Sequence, residues 1–435
     1  MNAIENWFQS KLLPTLTRWS DLKYLVALKD GMVITVPFTI LGSIFMIIGN
    51  LPIPGWYDTI APISPYINAV TSVTFGLLGL IICIGMAYEV SKLNKLDTMT
   101  GVAVIVICYV IAMLNDEFAI DPSLYGAGGI FTAIIVAIVA AEIMHFCVRH
   151  NLSVRLPDSV PPAVGKSFAA LIPGGAAMLF FWLIRCVCHL DINNLITMIF
   201  SPLVVSLNNV WGVLFLTFIT LVLWVFGIHG NNVLSGISSP IYLQFLAANI
   251  EALNAGEPIP YIAADGFLNF GMNIGGTGAI LGLTICMLFF AKSKRYKALS
   301  GICFPPSIFG ISEPTMFGFP VVLNFTLAIP FIFGPLILIA ITYFLMDAGI
   351  IGHVVAQIPW TTPPILAGFL VTGGDWRAAL WQGIELVLAV AMYFPFFKAC
   401  DRQAVKEEAE EQEHILEKGI EKEEDDDDDS IFFED

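Results

Sequence analysis

Gly310-Ile311-Ser312-Glu313-Pro314 sets a carboxylate and a proline beside glycine in a chain that is otherwise suited to lipid. The 435 residues are 57% hydrophobic and only 13% charged, with a mean hydropathy of +0.79. A soluble enzyme of this length does not carry such a composition, so the solvent for most of the chain is a bilayer. An ionisable side chain there is costly, and irregular backbone survives only inside protein or beside a water-filled cavity. Glu313 is therefore a candidate substrate-site residue by position alone.

Working outward, apolar runs begin near Val33, Val73, Gly101, Gly128, Ser167, Val210, Asn231, Gly275, Pro320 and Ala378. Each is close to the ~20 residues a helix needs to cross the hydrocarbon core. They predict an all-α polytopic membrane protein of about ten transmembrane helices.

The basic residues test this arrangement. Lys11, Arg18, Lys23 and Lys29 precede the first run, and residues 51–68 after it hold no Lys or Arg. Lys92 and Lys95 follow the second run, whereas the connection at Asp116 and Asp121 again lacks positive charge. Arg149, Arg155 and Lys166 follow the fourth, and residues 191–209 have none. Lys292, Lys294, Arg295 and Lys297 follow the eighth; Lys398, Arg402 and Lys406 follow the last. Every second connection is basic, which places both termini in the cytoplasm, provided residues 231–250 span. Arg185 and Arg377 depart from the pattern, and Arg185 is expected to snorkel to the interface.

Two stretches do not read as simple spans. Residues 298–319 contain Pro305, Pro306 and Pro314 among glycines, too broken for one helix and too apolar for a free loop. Residues 352–374 contain Pro359, Pro363 and Pro364. Each is either a proline-rich surface loop or a re-entrant hairpin, the two entered from opposite faces. A full span of the right polarity follows each, which favours re-entry.

The ends differ from the body. Residues 1–30 lack the layout of a cleaved signal peptide. Ile4, Trp7, Phe8, Leu12, Leu13 and Leu16 have helical spacing, so this segment is read as amphipathic and cytoplasmic, lying on the membrane or buried in the fold. Transmembrane halves follow at 31–190 and 191–400. Residues 401–435 read as an acidic disordered tail, too charged from Glu407 to fold alone. The tail supplies most of the net charge of -16, so the acidic balance says nothing about substrate. The eight cysteines show no CxxC pair or zinc spacing, and neither disulfide, metal nor cofactor is expected. No nucleic-acid partner is expected either.

Three constellations stand out. The first is Gly227-Ile228-His229-Gly230-Asn231-Asn232, where glycines let backbone approach a ligand and the amides and imidazole suit hydroxyl groups. It reads equally as a capped helix turn with His229 satisfied locally. The second surrounds Glu313, whose carboxylate can accept from a vicinal diol or act as general base on one hydroxyl, or can cap the helix beginning at Pro314. The third runs from Ile358-Pro359-Trp360-Thr361-Thr362 to Gly373-Gly374-Asp375-Trp376-Arg377. There Trp360 can stack on an apolar sugar face. Trp376 and Trp381 read as interfacial anchors, and Asp375 with Arg377 as an exposed ion pair of little worth. Glu89, Glu142, His145, Asn324 and Glu385 are weaker candidates.

In order and spacing these motifs resemble the sugar-specific IIC permeases of the bacterial phosphotransferase system, in the lactose, cellobiose and N,N'-diacetylchitobiose class. The resemblance runs from about Leu13 to Cys400. Gly227-Ile228-His229-Gly230 carries it, with Pro305-Pro306, Glu313-Pro314, Phe317-Gly318, Pro363-Pro364 and Gly373-Gly374-Asp375-Trp376-Arg377. It implies two re-entrant hairpins among the spans and a homodimer formed mainly through the amino-terminal half. It also implies a disaccharide held in the carboxy-terminal half by His229, Asn232, Glu313 and Trp360, beside which Asn231 stands as a further substrate-binding candidate from the first constellation. Glu313 would hold the hydroxyl to be phosphorylated, with His229 in reach of the same sugar. Ser312 stands where asparagine is usual before the Glu-Pro pair, leaving the disaccharide open. The phosphate donor is expected on a separate phosphorylated IIB chain docking from the cytoplasm. Two rival readings are a proton- or sodium-coupled sugar symporter and an intramembrane enzyme acting on a lipid-linked sugar.

Overall fold

The structure is a computed structural model describing residues 22–51, 53–154, 168–319 and 321–429, with side chains to residue 412. Residues 1–21 of the amphipathic segment expected over residues 1–30 lie outside them, as do Arg155 and Lys166. Among the described residues every regular element is helical, with no strand. A chain that must satisfy its backbone in lipid has this solution open to it.

Helices α1 (Lys23–Met32) and α2 (Thr35–Gly49) join into one long apolar element. A short α3 (Trp56–Ile60) leads to α4 (Ser64–Gly76), which bends by 43° into α5 (Leu78–Leu93). Helix α6 (Thr98–Ala112) starts where the Asp97 carboxylate accepts the Thr100 N–H at 3.1 Å, satisfying one orphan donor of the first turn. Helix α7 (Ile130–Arg149) follows, then α8 (Leu171–Trp182), which runs into a π-turn at Leu183–Val187. The chain there turns through 89° into α9 (Ile192–Asn208). The second half comprises α10 (Val210–Val225), α11 (Gly230–Ala255), α12 (Ile280–Phe290), α13 (Lys294–Ile308), α14 (Phe325–Asp347), α15 (Leu366–Val371) and α16 (Trp376–Asp429).

Five elements among the described residues are long and apolar enough to cross a bilayer, or seven if each bent pair counts as one. Helices α6, α10 and α12 are apolar but shorter. Eight of the ten span starts expected from the sequence fall in or just before one of these elements, and the other two, Ser167 and Pro320, lie outside the described residues. Helices α5, α6, α7 and α8 pack on one another, as do α12, α14 and α16, while α11 touches α1, α4, α7 and α10. Buried side chains from Ala27 to Ala404 form one continuous apolar cluster. Helix α11 thus touches the first group directly, through α7, and is linked to the second through α10, which packs on α14.

Several local expectations are corrected. Residues 191–209, read as a simple connection, are mostly helix: Asp191 caps α9 by accepting the Asn194 N–H at 2.9 Å. Arg185 does not snorkel to water. It is buried, donating from Nε to the Leu114 carbonyl at 2.9 Å and from Nη2 to Asp116 at 3.1 Å. Trp381 is no interfacial anchor: its Nε1 donates to Thr342 Oγ1 at 2.8 Å, and Thr342 donates to the buried Glu385 at 2.7 Å. Glu142 bonds Lys23 and Tyr24, His145 bonds the Asn94 carbonyl, and Asn324 caps α14.

The first proline stretch is a hairpin. Pro305 and Pro306 do not break α13, which continues to Ile308 before turning at Gly310 into a π-turn at Pro314–Gly318 packed back on it. The fixed φ of proline is helical, and the donors lost are two near the end of the helix. The second stretch is an extended arm that meets α15: Val355 and Ala356 donate to the Val371 carbonyl at 2.8 and 3.1 Å. Asp375 is no loose surface ion. It is largely buried, accepts the Gly352 N–H at 2.7 Å, and holds Arg377 at 3.0 Å, closing the base of this arm.

The disordered tail expected from residue 401 is corrected over residues 401–412, because α16 runs on without a break. Asp401 is buried and accepts the N–H groups of Lys292 and Ser293. One turn pair further, Glu408 accepts from Lys294 N at 3.0 Å, Arg295 N at 2.9 Å and Ser293 Oγ at 2.6 Å. These carboxylates occupy the N-terminus of α13, where negative charge and acceptors are both favoured. The base of the first hairpin is therefore held by the last helix.

Candidate functional site

The site begins where α10 stops. Gly227, at φ +81°, takes the left-handed turn that ends the helix, and the Ile228 N–H returns to the Leu223 carbonyl at 2.9 Å. This delivers His229 to the N-cap of α11, where its Nδ1 accepts the Asn232 N–H at 3.2 Å. A ring nitrogen that accepts carries no proton, so in the neutral imidazole the proton sits on Nε2. Burial holds this imidazole below its usual range, against the opposing pull of the Glu313 carboxylate. The Trp224 ring lies against it, with centroids 4.4 Å apart. The capped-turn reading of the motif therefore holds: His229 caps the helix through one nitrogen and turns the other toward Glu313.

His229 Nε2 faces Glu313 Oε1 at 3.9 Å. Glu313 stands at the N-cap of Pro314–Gly318, yet its side chain makes no capping bond, so the capping reading fails. Both side chains are roughly half exposed. The separation is too long for a direct hydrogen bond and short enough for one hydroxyl oxygen to bond both.

Asn231 and Asn232 point into different places. Asn231 Oδ1 accepts from Trp224 Nε1 at 2.9 Å and from Thr277 Oγ1 at 3.4 Å, and it lines a cavity of about 470 Å³. Asn232 and His229 line a second cavity of about 380 Å³. Trp360 is 69% exposed at the tip of the second arm and lines the larger cavity with Asn231. The two hairpin tips meet here, since a Cβ on Gly310 (φ +78°) would lie 2.9 Å from the Trp360 carbonyl. The structure thus brings His229 to Glu313, and Asn231 to Trp360. Ser312 is only 3% exposed, packs on Gly276 and lines neither cavity.

Asp265, Gln357 and Tyr242 were not singled out from the sequence. Asp265 accepts from Gln357 Nε2 at 2.6 Å, and both line the larger cavity with Ser238, Ser239 and Tyr242. Tyr242 Oη, Thr217 Oγ1 and Gln357 Oε1 are buried there without a hydrogen-bond partner among the described residues. Orphaned polar atoms are costly unless a ligand or water completes them. A signal existed: Asn232, Ser235 and Ser239, with Asn231 and Ser238, recur at three- and four-residue steps, a polar stripe along an otherwise apolar helix.

This wall of amides, hydroxyls, one carboxylate and an exposed indole suits a polyhydroxylated ligand, and the comparisons agree with that chemistry. The family described as "Phosphotransferase system, EIIC" matches residues 29–335. The "Lichenan permease IIC component" of Bacillus subtilis (strain 168) is 35% identical over 94% of this chain and 96% of that protein. The "PTS system lactose-specific EIICB component" of Lacticaseibacillus casei is 29% identical over 94% of this chain and 73% of its own length. Among solved structures, the crystal structure of the transporter ChbC matches with TM-score 0.88 at 34% identity. It covers 93% of this chain and 99% of the other, and is the IIC component of an N,N'-diacetylchitobiose-specific phosphotransferase system. With a family match across most of its length, relatives that align over 94% of the chain and a shared all-helical fold, this chain belongs to the EIIC family of the phosphotransferase system.

Proposed function

We propose that this chain is the multi-pass permease of a bacterial cytoplasmic membrane that takes up a disaccharide and presents one hydroxyl for phosphorylation from the cytoplasm. The observation that carries this is the His229–Glu313 pair, held 3.9 Å apart, with no capping bond made by the carboxylate. The Nε2–H of His229 donates to the hydroxyl oxygen while Glu313 accepts its proton, which makes that oxygen nucleophilic. The ring bearing it stacks against Trp360. The second ring occupies the cavity beyond, where Asn231, Asp265 and Gln357 supply hydrogen bonds. A phosphorylated IIB protein donates the phosphate, in keeping with a relative named as an EIICB component. Both termini face the cytoplasm, and the working unit is a homodimer through the amino-terminal half, set in lipid. The printed names of the relatives span lichenan, lactose and N,N'-diacetylchitobiose systems, so β-linked disaccharides are the first to try. The symporter has no support, because the relatives are phosphotransferase components.

The test is uptake of labelled cellobiose, lactose and N,N'-diacetylchitobiose in cells with or without the general phosphate relay. Relay-dependent accumulation of a sugar phosphate is expected for at least one; accumulation of free sugar without the relay would overturn the reading. In the same assay Asp265→Asn is expected to weaken half-saturation about tenfold, the worth of one buried hydrogen bond to a charged group. Its maximal rate should stay within a few-fold, because Asp265 does not touch the reacting hydroxyl. A fall in rate with half-saturation unmoved would remove Asp265 from the sugar site.

A further inference from the structure

The phosphoryl group must arrive beside Glu313, an anion, and His229, whose imidazole is neutral. Neither offers a positive charge to a transferred group whose three outer oxygens carry negative charge throughout the step. Among the described residues, one cation lines the same cavity as His229. Helices α1 and α11 pack start to start, the Leu25 backbone lying 3.6 Å from where a Cβ on Gly236 would sit. One turn along α1 from Leu25, Lys29 lines the 380 Å³ cavity together with His229 and Asn232. It also lines a smaller cavity of about 210 Å³ with Asp265 and Gln357.

Lys29 is half-buried, and among the described residues it has no hydrogen bond or ion pair; Asp30 beside it lines a different cavity with Glu89. Lys23 pairs with Glu142, Lys92 with Glu89 and Arg295 with Glu407. Burial is the main cause holding the His229 imidazole low, and the Lys29 charge pushes the same way, which puts the ammonium within electrostatic reach of the ring. An unpaired, half-desolvated ammonium facing a cavity suits a phosphate, which lysine binds as a point charge.

We propose that Lys29 is the phosphate-binding residue of the transfer step, pairing with the phosphoryl oxygens as they pass from IIB to sugar. This inference rests on the permease reading above. In the step, the sugar oxygen forms a bond to phosphorus as the bond between phosphorus and the IIB donor side chain breaks. The donor side chain leaves with that electron pair, and the hydroxyl proton passes to Glu313. Lys29 makes and breaks no covalent bond; it offsets charge that would otherwise face Glu313 unscreened.

The experiment compares wild type, Lys29→Met and Lys29→Arg in membrane vesicles, using the disaccharide that the uptake assay identifies. Phosphorylation is read with phosphoenolpyruvate, the purified relay and IIB; exchange of labelled for unlabelled free sugar is read without them. Lys29→Met is expected to lower the phosphorylation rate about a hundredfold, as loss of one transition-state donor does, with Lys29→Arg keeping most of it. Free-sugar exchange should be unchanged in both, which shows the protein folded and loaded. A parallel fall in exchange and phosphorylation would reduce Lys29 to a structural residue, and undiminished phosphorylation in Lys29→Met would overturn the proposal outright. If wild type exchanges sugar but never phosphorylates it, the permease reading fails first and Lys29 falls with it.

Discussion

Glu313→Gln is expected to lower relay-dependent sugar phosphorylation by about a thousandfold, within the range that positioned general bases contribute. Glutamine has the shape of glutamate and keeps a carbonyl acceptor, so a hydroxyl can still lodge beside His229. What it cannot do is take the proton. Among the described residues the carboxylate makes no capping bond, its recorded ion-pair partner is His229, and it stays half exposed at the hairpin tip. Stability should therefore match wild type, and binding of free sugar, measured by calorimetry on the purified protein, should weaken by less than about tenfold. A variant that phosphorylates at a tenth of the wild-type rate or better would show that Glu313 orients the sugar without accepting its proton.

The contrast between Glu313 and Asp265 shows what the sequence makes legible. Both are carboxylates in an apolar chain. Glu313 announces itself because prolines and glycines surround it, and irregular backbone at membrane depth needs a reason. Asp265 lies in a stretch that reads as an ordinary connection after α11; only the folded chain carries it onto Gln357 and against Tyr242, whose carbonyl accepts the Asp265 N–H at 2.8 Å. Local sequence reports what a residue costs, whereas the meeting of residues 92 positions apart is tertiary. The same holds for the second hairpin. Pro359, Pro363 and Pro364 mark it as broken, but its contact with Gly310 is visible only once both tips are placed.

The apolar runs identified the helices because lipid imposes length and hydropathy on any crossing element. They were less informative where the chain leaves the bilayer. Asp191 as a cap and the amphipathic run behind it mark α9, whereas the absence of basic residues bears on sidedness and not on helix formation. At the other end, net charge suggested disorder from residue 401. Charge alone misleads there, because some of those carboxylates have backbone donors to meet.

Asp401→Ala tests that last point and should be the most destabilising single change outside the apolar core. Asp401 is 1% exposed, and its two oxygens accept the Lys292 N–H at 2.9 and 3.1 Å and the Ser293 N–H at 3.0 Å. Alanine leaves two backbone donors at the start of α13 buried without partners, at a cost of about 3 kcal/mol, since each orphaned group forfeits its full desolvation penalty. Glu408 meets the next donors along, Lys294 N and Arg295 N, but from a position open to water. Glu408→Ala should therefore cost much less, because water replaces the lost acceptor. Detergent-solubilised protein, melted while following the fraction that stays monodisperse, would rank the two. Equal melting of Asp401→Ala and wild type would mean that the base of the hairpin is not held from α16. If the ranking is as expected, the effect should reach the chemistry too. The same hairpin carries Glu313 at its far end, so loosening its base widens the 3.9 Å separation from His229 and lowers phosphorylation more steeply than sugar binding.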